Sequence, residues 1–376
     1  MSILTIISHT EHYKDGDGTI VGWGPTVQEL NHLLEVFDII YHVAMLYPGQ
    51  PPESSHPYVS NRIIFIPLPA VGGPKLRDKM QIIVKSFTVV QIINSTLRKT
   101  DYFQLRTPTG IGVFLIPYLT LFVKKKGWYK YAGNWNQKNP PLGYALQRWM
   151  LKQQTRKVTI NGAWPEQPKH CLTFENPCLT LSDINEGELI IRDKSIEGKL
   201  HICYVGRLEK PKGVERIIKS IDLLSPAEKQ RIEAVHLVGD GKDMTYFKTI
   251  AADKGVNFIF HEFLSRKEVF DIYKKSQVFM MPTTASEGFP KVIAEAVNFG
   301  CIPIVSTVSS IGQYVKHLES GYCLNEVNSD EIIGALRHVF HMNNEDYQLM
   351  LTKQRLIIEK FTFVHYNKHI RSKLLD

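Results

Sequence analysis

Two short stretches of this 376-residue chain combine the residue types that anion and sugar chemistry needs. The first is Gly206-Arg207-Leu208-Glu209-Lys210-Pro211-Lys212-Gly213, set where an apolar strand-like run ends and a helical pattern begins. Glycines at such a turn let a ligand approach the backbone, and a helix start offers N–H groups and the positive end of its dipole. Arg207 and Lys212 add two cations, which suits a diphosphate; the plainer reading is a basic turn that holds nothing. The spacing fits neither a Walker loop nor a G-x-G-x-x-G turn. The second stretch is Glu287-Gly288-Phe289-Pro290-Lys291-Val292-Ile293-Ala294-Glu295-Ala296. Pro290 suits the first position of a helix, which puts Glu287 on the loop at its mouth and Glu295 inside it. Carboxylates are natural acceptors for sugar hydroxyls, and Gly288 permits close approach. Alternatively the pair are capping and surface charges, a fate against which Ala294 and Ala296, flanking Glu295 in an apolar segment, argue.

Other polar groups carry weaker signals. His9 and His12 follow the first apolar run, Ile3 to Ile7, where an open α/β sheet places its ligands; they are either acceptor contacts or polar loop residues facing water. Asp15-Gly16-Asp17 has the form of a metal-binding D-x-D, but its setting between Lys14 and Gly18 reads as an exposed turn. Lys124, Lys125 and Lys126, with Trp128, Tyr129 and Tyr131 beside them, read as a solvated helix end or as a rest at a lipid interface. The cysteines, Cys171, Cys178, Cys203, Cys301 and Cys323, form no C-x-x-C pair, which points away from a zinc site or disulfide framework and towards a reducing cytoplasm.

The elements that must position these residues alternate between strand and helix, twice over. In the first half Ile3 to Ile7, Ile39 to Met45 and Ile63 to Leu68 predict strands, and Val27 to Val36 and Asp78 to Leu97 predict helices. In the second, Leu200 to Val205, Val235 to Val238, Phe258 to Phe260, Val278 to Met281 and Ile302 to Val305 predict buried parallel strands. Helical segments near Val214 to Leu224, Met244 to Ala252, Lys267 to Lys275 and Val292 to Phe299 separate them. The hinge is expected in Trp164 to Asp193, where prolines and the polar run Ser182 to Gly187 interrupt periodicity. Phe361 and Phe363 are expected to pack back on the first domain.

In order along the chain, the Gly206-Arg207 … Lys212-Gly213 turn, Val238-Gly239-Asp240-Gly241, the Glu287-x7-Glu295 element and the Gly300 to Ser306 strand entry make Tyr204 to Leu324 resemble a known donor domain. It is that of the retaining glycosyltransferases of family 4, the glycosyl transferases group 1. Gly22-Trp23-Gly24 through Leu30 resembles the glycine-rich loop and helix that open that family's acceptor domain, and Trp128 to Trp135 the strand before its helical hairpin. The chain departs from the pattern at Glu262 and at Ser309 to Gln313. The resemblance implies a GT-B architecture of two Rossmann-like α/β domains facing each other across a cleft. These would be an acceptor-binding domain over 1–180, joined by the tail 361–376, and a nucleotide-sugar domain over 190–360. It implies a retaining, metal-independent transfer, with Arg207, Lys212 and Glu287 catalytic and Gly206, Gly213, Gly239, Gly288, Phe289, Pro290 and Glu295 on the donor. His9, His12, Gly22 and Gly24 would belong to the acceptor loop. A nucleotide-sugar epimerase of the same fold, and a noncatalytic partner of another transferase, stay open as alternatives.

Charge narrows the partners. The formal net charge is +8, yet the segment between His56 and His170 holds 18 Lys/Arg against 3 Asp/Glu, so the remainder of the chain is acidic. Such a basic segment suits an anionic membrane or glycan, or solubility alone, and no nucleic-acid recognition motif accompanies it. No run reaches roughly 18 uninterrupted apolar residues, and Ile111 to Val123, broken by Pro117, reads as a buried helix. With no basic leader ahead of Ile3, the expected setting is the cytoplasm, with peripheral contact at the inner face of the cell membrane, in surface polysaccharide or glycolipid assembly. No cofactor is expected beyond the nucleotide-sugar substrate and its glycan or lipid-linked acceptor.

Overall fold

Runs rich in Ile and Val become strands, and the amphipathic segments between them become the helices that cover the sheets. The computed structural model of the chain describes residues 1–72 and 76–375, in two units. One unit comprises Met1–Asn176 with His365–Asp376, the other Pro177–Val364.

In the first unit strands run over Ile3–Lys14 (β1), Ile20–Trp23 (β2), Ile39–Leu46 (β3), Ser55–Pro57 (β4), Ile63–Pro69 (β5), Tyr102–Thr107 (β6), Lys126–Tyr131 (β7), Val158–Ile160 (β8) and Cys171–Thr173 (β9). β5, β3, β1, β6, β7, β8 and β9 lie side by side in parallel, the doubly wound order, with a crossover at β1. β1 runs on past Ile7, the end expected for it, because β2 folds back on Tyr13 and Lys14 as an antiparallel partner and β4 pairs with β2. His9 and His12 therefore lie within a strand and not in a loop after it.

The second unit is built on Leu200–Val205 (β10), Ile232–Val238 (β11), Phe258–His261 (β12), Val278–Met281 (β13), Ile302–Ser306 (β14) and Tyr322–Leu324 (β15). The sheet is parallel throughout, in the order β12-β11-β10-β13-β14-β15. Its crossover lies between β10 and β13, so the loops after these strands converge where such sheets bind ligands. Both faces are covered, and Ile202, Val235, Phe279 and Ile304 are fully buried.

Several expectations are corrected. The polar run Ser182 to Gly187 is part of a helix, Leu181–Asp193, because Thr180 and Asp183 form a capping box that outweighs the run's polarity. Phe361 packs in the second unit, stacked on Phe289 with ring centroids 4.2 Å apart, and the Phe363 amide donates to the Leu179 carbonyl. Trp128, Tyr129 and Tyr131 are buried, since the two faces of β7 pack into apolar clusters, Trp128 on Phe37 and Tyr131 on Trp135, and they cannot rest on a lipid surface. The helix Leu76–Leu97 contains an 18-residue window, Met80–Leu97, long and apolar enough by composition to cross a membrane; only 22% of it is buried. Its Val89, Ile93 and Leu97 face the core, whereas Met80, Ile83, Val84 and Phe87 are exposed. The helix Gly112–Phe122 buries Leu115, Ile116 and Leu119 as expected, but exposes Leu121 and Phe122 at its end.

Candidate functional site

In the second unit the predicted residues gather where β10, β11 and β13 end. Gly206 leaves β10 with φ +155° and its amide donates to the Val238 carbonyl at 3.0 Å, while Gly239 (φ +126°) crosses it so closely that a Cβ would lie 2.2 Å from the Gly206 carbonyl oxygen. The Tyr204 hydroxyl holds the turn by donating to the Arg207 carbonyl at 2.8 Å. Gly213, in the left-handed region at φ +101°, starts the helix Val214–Asp222; a Cβ there would lie 2.3 Å from the Pro282 carbonyl oxygen after β13. The Thr284 amide donates to the Pro211 carbonyl at 2.8 Å, and Arg216 donates to the Pro282 carbonyl at 3.2 Å. These bonds lock the two loops together and hold them against the start of a helix.

The cations on this frame differ. Arg207 is exposed and lies 3.2 Å from Glu209. Lys212 is buried and forms an ion pair with Glu287, joining the two stretches singled out in the sequence. Burial, and then the Arg207 charge, push the Lys212 ammonium down to about 8, against the opposing pull of Glu209. The Glu287 amide donates to Ser309 Oγ at 3.3 Å, so the unusual Ser309 to Gln313 turn buttresses this loop. Phe289 turns inward on Tyr314 and Phe361. Pro290 sits one position earlier than expected: it caps the helix Lys291–Asn298, its extended ψ of 118° leaving Lys291 as the first helical residue.

Glu295 lies on that helix with its side chain 14% exposed and its carboxylate 3.9 Å from Arg266 Nε. Arg266 in turn donates to both oxygens of Asp183, at 3.1 and 2.8 Å, and to the Cys178 carbonyl at 2.7 Å. Burial pushes the Glu295 carboxyl up, against Arg266 and Lys291. Nothing in the sequence pattern pointed to Arg266 or Arg216.

In the first unit a cavity of about 590 Å³ opens at the carboxyl ends of β1, β6 and β7, lined by Ser8, His9, Tyr13, Trp23, Arg106 and Tyr144 among others. Arg106 is held by Glu29, at 2.7 Å, and the same carboxylate oxygen takes Lys130 Nζ at 2.6 Å and the Tyr366 hydroxyl at 3.1 Å. Aromatic rings, small hydroxyls and one anchored guanidinium suit a polyhydroxylated ligand.

His9 lines this cavity, and burial lowers its pKa. His12 does not line it: its ring is fully buried under Gly22, where a Cβ would lie 2.3 Å from the ring, and burial pushes it down to about 4. Its Nδ1 faces the Thr10 carbonyl at 3.0 Å and so carries the proton, leaving Nε2 to accept from the Tyr58 hydroxyl at 2.8 Å. Tyr58 accepts from His42 Nδ1 at 2.7 Å, and His42 Nε2 accepts from Ser8 Oγ at 2.8 Å. His12 is thus the far end of a buried relay that orients Ser8 on the cavity wall. Gly24 opens the helix Gly24–Leu33 where a Cβ would meet His56 at 2.3 Å. Asp15 to Asp17 lie in an exposed turn between β1 and β2.

Residues 188–355 match the family described as Glycosyl transferases group 1. An uncharacterized glycosyltransferase of Haemophilus influenzae is 31% identical over 189 residues, 48% of this chain and 51% of that protein. The chain spans about half the length of the curated relatives it matches. Among solved structures, Anabaena Alr3699/HepE in complex with UDP and glucose has a TM-score of 0.69 at 13% identity, with 100% of each chain covered. The apo form of the lipopolysaccharide outer core galactosyltransferase WaaB has a TM-score of 0.67 at 15% identity over 98% of each chain. These likenesses bear out the fold expected from the sequence, that of the GT-B glycosyltransferases.

Proposed function

We propose that this chain, which has the GT-B fold and carries a glycosyl transferases group 1 domain over residues 188–355, moves a glycosyl group from a nucleoside diphosphate sugar onto a glycan or lipid-linked acceptor. The observation that carries the reading is the pairing of Lys212 with Glu287 on the interlocked loops after β10 and β13. One group answers the charge of a diphosphate and the other the hydroxyls of the sugar attached to it. Breaking the anomeric bond leaves extra negative charge on the diphosphate, so Arg207 and Lys212 stabilise the transition state more than the ground state. A diphosphate at Lys212 shares its ammonium and frees Glu287 to accept from the donor sugar. Glu295 accepts from the ribose.

The configuration at the anomeric carbon is retained in this reading: the departing phosphate oxygen takes the acceptor's proton on the same face. Two cations and a helix start supply the neutralisation that a metal ion supplies elsewhere. The acceptor's sugar occupies the cavity beside Trp23, Tyr13 and Tyr144, with Arg106 and Ser8 as polar anchors. The exposed Met80, Ile83, Val84 and Phe87 recur at helical spacing on one face, which together with the basic segment supports a peripheral rest on an anionic membrane at the cytoplasmic side. Melting the chain with a panel of nucleoside diphosphate sugars tests the donor claim. One donor should raise the midpoint in a concentration-dependent way; a panel without effect would contradict the reading.

A further inference from the structure

The chain leaves the first unit after Asn176 and re-enters it at His365. Beside both passages, inside that unit, Glu175, His365 and His369 bring donor atoms together, one from each within 4.8 Å of the others. The two histidines sit four residues apart on the helix Phe363–Ile370, a spacing that stacks side chains on one face, and their ring centroids are 4.1 Å apart. Glu175 comes from the segment that follows β9, and its Oε2 lies 3.8 Å from His365 Nε2. The glutamate is buried, and both imidazoles are half-buried. The Phe174 ring packs edge-on against His369 at 5.5 Å and fixes one side of the cluster.

The contact between Glu175 and His365 accounts for part of this arrangement and leaves His369 unexplained. A divalent ion would engage all three side chains at once, taking one nitrogen from each ring and one oxygen from the carboxylate. Two histidines and one glutamate form an established donor set for zinc, with a fourth position open to water. Imidazole donors without thiolate also suit nickel and copper(II). Zinc–ligand bonds of about 2.0–2.2 Å place donor atoms about 3.3 Å apart, so the cluster needs a further closure of about 1.5 Å, which side-chain torsions supply.

We propose that Glu175, His365 and His369 form a site for a divalent transition-metal ion of the zinc type, which ties the returning C-terminal helix to the segment after β9. Its residues belong to the first unit and the proposed donor residues to the second, and it does not depend on the proposed transfer.

The full chain, stripped with chelator and dialysed, is titrated with zinc chloride by calorimetry and with cobalt(II) by visible absorption. We expect one equivalent to bind, with the d–d bands of a four-coordinate cobalt site and a higher melting temperature. His369→Ala and Glu175→Gln should each weaken binding about tenfold or more, while His341→Ala, a histidine on the exposed face of another helix, leaves it unchanged. Glu175→Gln preserves side-chain shape, so it remains decisive if His369→Ala fails to fold. No saturable binding by the parent chain, or undiminished one-to-one binding by folded Glu175→Gln and His365→Ala, would overturn the assignment.

Discussion

Lys212 and Glu287 form an ion pair although 75 positions separate them, one on the loop after β10 and the other on the loop after β13. The Lys212 ammonium is buried and pushed down to about 8. If its charge faces the diphosphate, kcat/KM for the donor should fall as pH rises through about 8, and Lys212→Arg should carry that limb to higher pH. Stability should move the other way. The unfolded lysine still holds its proton up to its ordinary value of 10.5, so between about 8 and 10.5 the unfolded state binds more protons and Lys212 contributes rising stability with pH. A pH–rate profile flat from 7 to 10 in the parent chain would contradict the role given to this residue.

Arg207 and Glu295 should separate in steady-state kinetics. Arg207→Ala removes a charge whose partner grows only as the bond breaks, so turnover should drop about 100- to 1,000-fold with little loss of donor affinity. Glu295→Gln removes a contact present equally in ground and transition states, so the donor KM should rise and kcat stay nearly intact. Arg266 keeps both bonds to Asp183 in that variant, which should therefore fold. Near-normal kinetics in both variants would remove the site from the second unit.

Acid should destabilise the fold well before the carboxylates titrate. Burial holds His12 at about 4 and His236 at about 3, whereas in the unfolded chain each titrates near 6.5. Through that window the unfolded state binds more protons, so the contribution is full above 6.5 and is lost as pH falls towards 3. The urea midpoint should be lower at pH 5 than at pH 7; an equal or higher midpoint at pH 5 would mean that these rings are open to water.

Membrane contact, if it follows the exposed face of the helix Leu76–Leu97, should show as association with anionic vesicles that weakens as salt rises. Val84→Asp with Phe87→Ser changes only exposed positions and should reduce it at least about tenfold without lowering the melting temperature. Equal binding to neutral and anionic vesicles would leave the basic segment a matter of solubility.

Much of the second unit was legible because a doubly wound sheet writes its strands as short apolar runs and its ligand turns as local glycine patterns. Gly206 to Gly213 and Glu287 to Glu295 each lie within one loop and helix start, so spacing alone exposed them. The first unit was less legible. β1 looked five residues long because its extension depends on pairing with β2 and the end of β3, and His12 looked like a loop residue for the same reason. The Glu29–Arg106–Lys130 cluster joins positions 77 and 101 residues apart and leaves no local signature. The helix after Thr180 was missed because its polar surface masked a capping box that was present in the sequence.

The most direct measurement is release of the nucleoside diphosphate from a panel of nucleotide sugars in excess chelator, comparing the parent chain with Lys212→Ala and Glu287→Gln. We expect one donor to be turned over in chelator, acceptor to accelerate release, and both variants, folded by circular dichroism, to lose about 100-fold or more. Undiminished release by the folded variants, or activity abolished by chelator and restored by manganese, would contradict the account.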